Sequence, residues 1–95
     1  MDCREVRFSG HAVMRLFERG LSKDQVLSII RTGECIADYP DDSPYPSCLL
    51  LGYINNNPVH VLVARETVAG VCFVVTAYQP DPQLWSANFK LRRVK

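Results

Sequence analysis

Two imidazoles and a handful of guanidiniums carry the proton-transfer chemistry open to this chain. His11 and His60 are its only histidines, and imidazole is the side chain whose charge changes near neutral pH. As a pair they suit phosphodiester cleavage: one takes the proton from a ribose 2′-hydroxyl and the other protonates the leaving 5′-oxygen. Arg15, Arg19, Arg92 or Arg93 would neutralise the charge that builds on phosphorus. Such a reaction requires no metal and no cofactor. Thr76 and Tyr78 add hydroxyl donors for a phosphate, and Tyr78 or Tyr53 offers a π face to an unpaired base. Each residue also has a plainer reading. Arg15 and Glu18 stand at i, i+3, an exposed ion pair worth a few tenths of a kcal/mol, and His60 can be a hydrogen-bonded strand histidine.

The elements that must position these groups follow from patterning. The stretch Phe8 to Ser22 reads as a short helix, capped by Ser9 and stopped by Gly20. At about 100° per residue, Ala12, Val13, Leu16 and Phe17 share its apolar side, and His11, Arg15, Glu18 and Arg19 its polar side. A second helix runs from Ser22, at capping-box spacing from Gln25, to Gly33, with Val26, Ile29 and Ile30 as its buried stripe. Only Gly20-Leu21 separates them, which predicts a tight helix hairpin. Glu5 to Phe8 alternates as a short edge strand would, and Glu34 to Tyr39 reads as a strand. The acidic, proline-rich P-D-D-S-P-Y-P-S that follows is a surface loop.

Three strands then come at hairpin spacing, Cys48 to Ile54, Val59 to Glu66 and Val71 to Tyr78, joined by turns at Asn55–Pro58 and Thr67–Gly70. Pleating sets Val59, Val61 and Val63 against His60, Leu62 and Ala64, and Phe73, Val75 and Ala77 against Cys72, Val74, Thr76 and Tyr78. If the valine row faces the helices, His60, Thr76 and Tyr78 lie on the accessible side. Past Tyr78, Q-P-D-P-Q-L-W breaks the sheet; Phe89 and Leu91 alternate with cations as a last edge strand or packed tail, pinned by Trp85 and Phe89. The expected fold is α+β: one domain over residues 1–95, an N-terminal helix hairpin on a three- to four-stranded antiparallel meander.

Length and composition narrow the classes. Ninety-five residues with 47% apolar content support one core and no more. The net charge of +1 is unevenly spread: Glu34, Asp38, Asp41 and Asp42 form an acidic stretch, whereas Lys90, Arg92, Arg93 and Lys95 close the chain as a basic tail suited to phosphate. The four cysteines show no C-x-x-C pair and no zinc-ligand spacing. Without a secretory signal or a bilayer-length apolar run, the reading is cytoplasmic, away from membranes, with reduced thiols. No nucleophile elbow or glycine-rich phosphate loop is present, so protease, kinase and dinucleotide chemistries lack support.

These residues also carry a resemblance. The string F-S-x-H-A-x-x-R-x-x-E-R-G-L-S, followed by P-S-x-L-L-L-G, P-V-H-V-L-V-A, V-V-T-A-Y-x-P, a tryptophan and F-K-x-R-R, resembles the small bacterial family known as domain of unknown function 4258. The most specific parts are His11-Ala12 with Arg15, Arg19-Gly20, Val59-His60-Val61 and Thr76-Ala77-Tyr78. The resemblance implies a fold similar to RelE-like toxins, which are compact metal-independent ribonucleases, and a place in a toxin–antitoxin module beside a zinc-finger antitoxin. Residue by residue it implies His11, His60, Arg15 and Tyr78 as catalytic groups and Arg19, Thr76, Arg92 and Arg93 as RNA contacts, with no metal ligand. RelE-type toxins are usually strongly basic, and this nearly neutral chain departs from that; the departure argues against ribosome-directed cleavage and leaves free mRNA, or no RNA. The other function class is a non-catalytic interaction module, whose strand edges and acidic loop bind a protein or a second copy of the chain as a homodimer.

Overall fold

The computed structural model describes residues 1–94. Seven elements follow in order: β1 (Glu5–Phe8), α1 (Gly10–Glu18), α2 (Lys23–Thr32), β2 (Glu34–Tyr39), β3 (Ser47–Ile54), β4 (Asn57–Glu66) and β5 (Val71–Tyr78). The architecture is α+β, with one five-stranded sheet in the order β1-β5-β4-β3-β2. β2 to β5 form the antiparallel run that the turns predict. Lead-in strand β1 does not stay apart from it: it pairs in parallel with the first half of β5, Glu5 opposite Val71 and Phe8 opposite Val74. The sheet is therefore mixed and one strand wider than a four-stranded meander.

Local chemistry explains the element ends. Ser9 Oγ accepts the Ala12 amide at 3.0 Å, and Ser22 and Gln25 close a reciprocal capping box, so both helices begin where an orphan amide finds an oxygen. Gly20 takes φ 68°, a left-handed turn that glycine makes without a Cβ clash. Asn55 and Asn56 both adopt positive φ, 51° and 67°, the two-residue turn whose twist matches a β-hairpin.

Both helices lie on one face of the sheet, α1 over β5 and β1, α2 over β3 and β4. Each packs chiefly on strands, so the expected tight hairpin is corrected to two helices set side by side on a shared platform. Val59, Val61 and Val63 are at most 1% exposed and meet Val26, Ile29, Ile30 and Leu16 in the core; each fully buried valine is worth roughly 1.5–3 kcal/mol. Gly52 lets α2 approach: a Cβ there would stand 2.6 Å from Ile29 Cγ1. Phe17 overturns its expected place on the apolar side of α1, being 85% exposed while Leu16 is 2% exposed.

One irregularity decides the faces of β5. The β4–β5 register shifts between Leu62 and Val63, with Leu62 opposite Thr76 and Val63 opposite Val74, which leaves Val75 as an extra residue. Cys72, Val74 and Ala77 accordingly point into the helix-side core, and strict alternation of Val75 and Ala77 with Val74, Thr76 and Tyr78 fails at this bulge.

Cys3 and Cys72 form a disulfide, Cα–Cα 5.8 Å across 69 residues of chain. The expectation of four reduced thiols is corrected here; Cys35 and Cys48 remain free. The C-terminal segment makes no strand: Trp85 and Arg92 form a single bridge, and Lys95, the last cation of the expected basic tail, lies outside the described residues. Among the described residues no helix is long and apolar enough to cross a membrane.

Candidate functional site

Cross-strand register lays the outer face, away from the helices, in three rungs. Tyr39, Ser47, Ala64 and Phe73 form one; Ala37, Leu49, Leu62 and Thr76 the next; Glu34, Leu51, His60 and Tyr78 the third. The proline-rich loop folds over the first rung, where Tyr45 stacks on Phe73 with ring centroids 5.6 Å apart. A strap formed by residues 79–94 crosses the third and is tethered at its far end by a 3.0 Å ion pair from Lys90 to Glu34. Between loop and strap an open groove of about 440 Å³ remains, lined by Tyr39, Asp42, Leu49, Leu62, Thr76, Tyr78, Trp85 and Arg92.

His60 lies beneath the strap and is fully buried. The Trp85 ring packs T-shaped against it, ring centroids 4.4 Å apart, and Nε2 is 2.8 Å from the Phe89 carbonyl oxygen, with Nδ1 3.2 Å from Tyr78 Oη. A carbonyl only accepts, so Nε2 carries the proton and Nδ1 receives a hydrogen bond from the Tyr78 hydroxyl. Burial pushes the His60 pKa down and the Phe89 carbonyl partly opposes it; the ring is held neutral. His60 therefore cannot touch a substrate, and its expected role as a direct acid or base is corrected to that of a group behind Tyr78.

Tyr78 borders the groove. Burial raises its pKa, Tyr39 adds to this, and Arg92 and Arg19 pull the other way; the phenol is protonated at neutral pH and committed as a donor to His60. Arg19 reaches the same place from the end of α1, its Nη1 donating to Thr76 Oγ1 at 3.0 Å and to the Ala77 carbonyl at 2.8 Å. It can do so because β1 pairs only with Val71 to Val74, leaving the rest of that edge of β5 uncovered. Arg92 comes from the strap, its guanidinium 5.8 Å from the Trp85 ring centre. Thr76, Tyr78 and Arg92 thus line the groove, and Arg19 holds Thr76 from the β5 edge, where it borders a separate hollow with Tyr78 and Gln79.

Residues 8–79 match the family model described as domain of unknown function DUF4258. The chain belongs to that family. No curated protein and no solved structure matches it. The DUF4258 span contains His11, Arg15, Arg19, His60, Thr76 and Tyr78, and ends where the strap begins; Trp85, Phe89, Arg92 and Arg93 follow it.

Three residues singled out in this DUF4258 chain stand elsewhere. His11 and Arg15 are exposed on α1, on the helix side of the sheet, with Arg15 Nε 3.4 Å from His11 Nε2 and Nη1 3.8 Å from Glu18; the sheet separates them from His60. The two imidazoles therefore do not flank one phosphodiester. Arg93 Nε donates to the Pro82 carbonyl at 3.0 Å, which binds the strap to itself. Sequence patterning in turn missed Tyr39, Asp42 and the Phe89 carbonyl as parts of the site. The tryptophan and prolines after the sheet were the available signal that the tail returns across it.

Proposed function

We propose that this chain is the toxin of a cytoplasmic bacterial toxin–antitoxin module, a metal-independent endoribonuclease that works from the outer groove. The observation that carries the reading is the line Tyr78 Oη, His60 Nδ1, His60 Nε2, Phe89 oxygen, which opens at Tyr78 into a groove lined by Arg92, with Arg19 next to Tyr78 at the β5 edge. A substrate ribose 2′-oxygen would attack phosphorus as its proton passes to Tyr78 Oη and the Tyr78 proton passes to His60 Nδ1. The bond from phosphorus to the 5′-oxygen breaks, that oxygen takes a proton from water, and the hydroxide left behind recovers the proton held by His60. The products are a 2′,3′-cyclic phosphate and a 5′-hydroxyl. Arg19 and Arg92 would hold the phosphate through the charged stage. A zinc-finger antitoxin covering the groove would silence it.

Induction of the chain alone in a bacterial host tests this. Growth should stop, and the purified protein should cleave single-stranded RNA in the presence of EDTA; normal growth with intact RNA would overturn it. A second reading, the non-catalytic interaction module, is favoured by Met14 and Phe17, 62% and 85% exposed one turn apart on α1, and by the outward edge of β2, which ends the sheet. A chain of this kind would bind an antitoxin-like partner or a second copy through α1 and leave RNA untouched.

A further inference from the structure

The groove has a direction. Asp42 stands on its loop lip, Arg92 on its strap lip, and Leu49 and Leu62 form an apolar floor between them. We propose that it is a single-nucleotide subsite that selects guanine, with Asp42 reading the base and Arg92 meeting the phosphate. The inference rests on the RNA-directed reading above and names the nucleotide that the site prefers.

The Asp42 carboxylate is held in place. The hydroxyl of Ser47, itself 5% exposed, donates to Oδ2, and among the described residues no side chain donates to Oδ1. A carboxylate accepts and never donates, so it sorts bases by the N–H groups that they present. Guanine offers two parallel donors on its Watson–Crick edge, N1–H and the 2-amino group, which match the two-oxygen fork of a carboxylate. Adenine and cytosine offer one amino group beside acceptors that would face the carboxylate, and uracil offers one imide N–H between two carbonyls.

The remaining walls suit the rest of a nucleotide. Tyr39, 42% exposed on the groove wall, gives a planar face for a base. Arg92 rests over Trp85, a cation–π contact that leaves its N–H groups free for an anion. A groove of about 440 Å³ lies in the range of small-ligand sites and fits one unpaired nucleotide.

The test is an NMR titration of the full 95-residue chain with the 3′-monophosphates of guanosine, adenosine, cytidine and uridine. Guanosine 3′-monophosphate should shift the amides of Asp42, Leu49 and Leu62 and bind at least about tenfold tighter than the adenosine compound. Asp42→Asn still accepts from Ser47, so its spectrum should stay dispersed while the guanine preference disappears. Arg92→Ala should weaken all four nucleotides alike. Equal binding of the four, or a preference surviving in Asp42→Asn, overturns the guanine assignment and leaves the RNA reading standing. Binding of none of them overturns the subsite altogether, and the growth and cleavage assays then judge the RNA reading separately.

Discussion

Tyr78 Oη and His60 Nδ1 face each other 3.2 Å apart on adjacent, directly paired positions of β5 and β4. One of the two borders an open groove and the other has no solvent contact. The pair thus joins a reachable hydroxyl to a hidden acceptor, and the hydroxyl is where function should be most sensitive.

Tyr78→Phe removes the oxygen and keeps the ring. Under the proposed mechanism, RNA cleavage by this variant should fall by about 10²-fold or more, the usual scale for loss of a proton-transfer group, with an unchanged circular dichroism spectrum. A variant that cleaves at the parent rate would remove Tyr78 from the reaction.

The lowered pKa of His60 sets a pH dependence of folding. The folded pKa lies below the unfolded value of about 6.5, so in the window below 6.5 the unfolded chain binds the extra proton. The contribution is complete above pH 6.5 and declines as pH falls through that value, at no more than about 1.4 kcal/mol per pH unit for one proton. Tm measured from pH 8 to pH 5 should fall less steeply in His60→Gln than in the parent chain. Parallel curves would mean that His60 does not titrate on unfolding.

The Cys3–Cys72 bridge closes 69 residues of chain and restricts the unfolded ensemble accordingly. Reduction should lower stability by about 4 kcal/mol on the chain-entropy model, read from urea denaturation with and without dithiothreitol. Cys3→Ser should match the reduced protein and be insensitive to reductant. Cys48 will not substitute for the lost partner, because burial above all, reinforced by Cys35, pushes its thiol pKa up to about 12 and suppresses the thiolate that exchange requires.

Gly52→Ala would place a methyl 2.6 Å from Ile29 Cγ1. Overpacking of this kind costs roughly 1–3 kcal/mol. Pairing it with Ile29→Ala should return part of that loss in a double-mutant cycle, whereas additive penalties would show that the two residues do not share the contact.

Much of this frame is legible from patterning, because local rules govern its elements. The Ser9 and Ser22 caps, the Asn55-Asn56 turn and the buried valine row of β4 are set within a few residues of chain. What escaped was set by distant partners. Parallel pairing of β1 with β5 and the Cys3–Cys72 bond join opposite ends of the sequence, which no periodicity records. Phe17 sits near the apolar stripe of α1, yet a nine-residue helix lying on a strand edge covers only the residues that point straight down. His60 was placed on the correct face by alternation, but its burial depends on a strap that starts 19 residues later, counting from His60 to Gln79. That cover turned a candidate contact into a supporting group.

Val75 has the broadest consequence. Upstream of it, the even-numbered side chains of β5 go to the core; downstream, Ala77 takes the core position while Thr76 and Tyr78 emerge on the other side. Were Val75 paired in unbroken alternation instead of bulged out, Thr76 and Tyr78 would follow Val74 inward beneath the helices and Ala77 would present its methyl where the phenol now stands. The outward pair of hydroxyls therefore owes its place to a single residue that the ladder steps over.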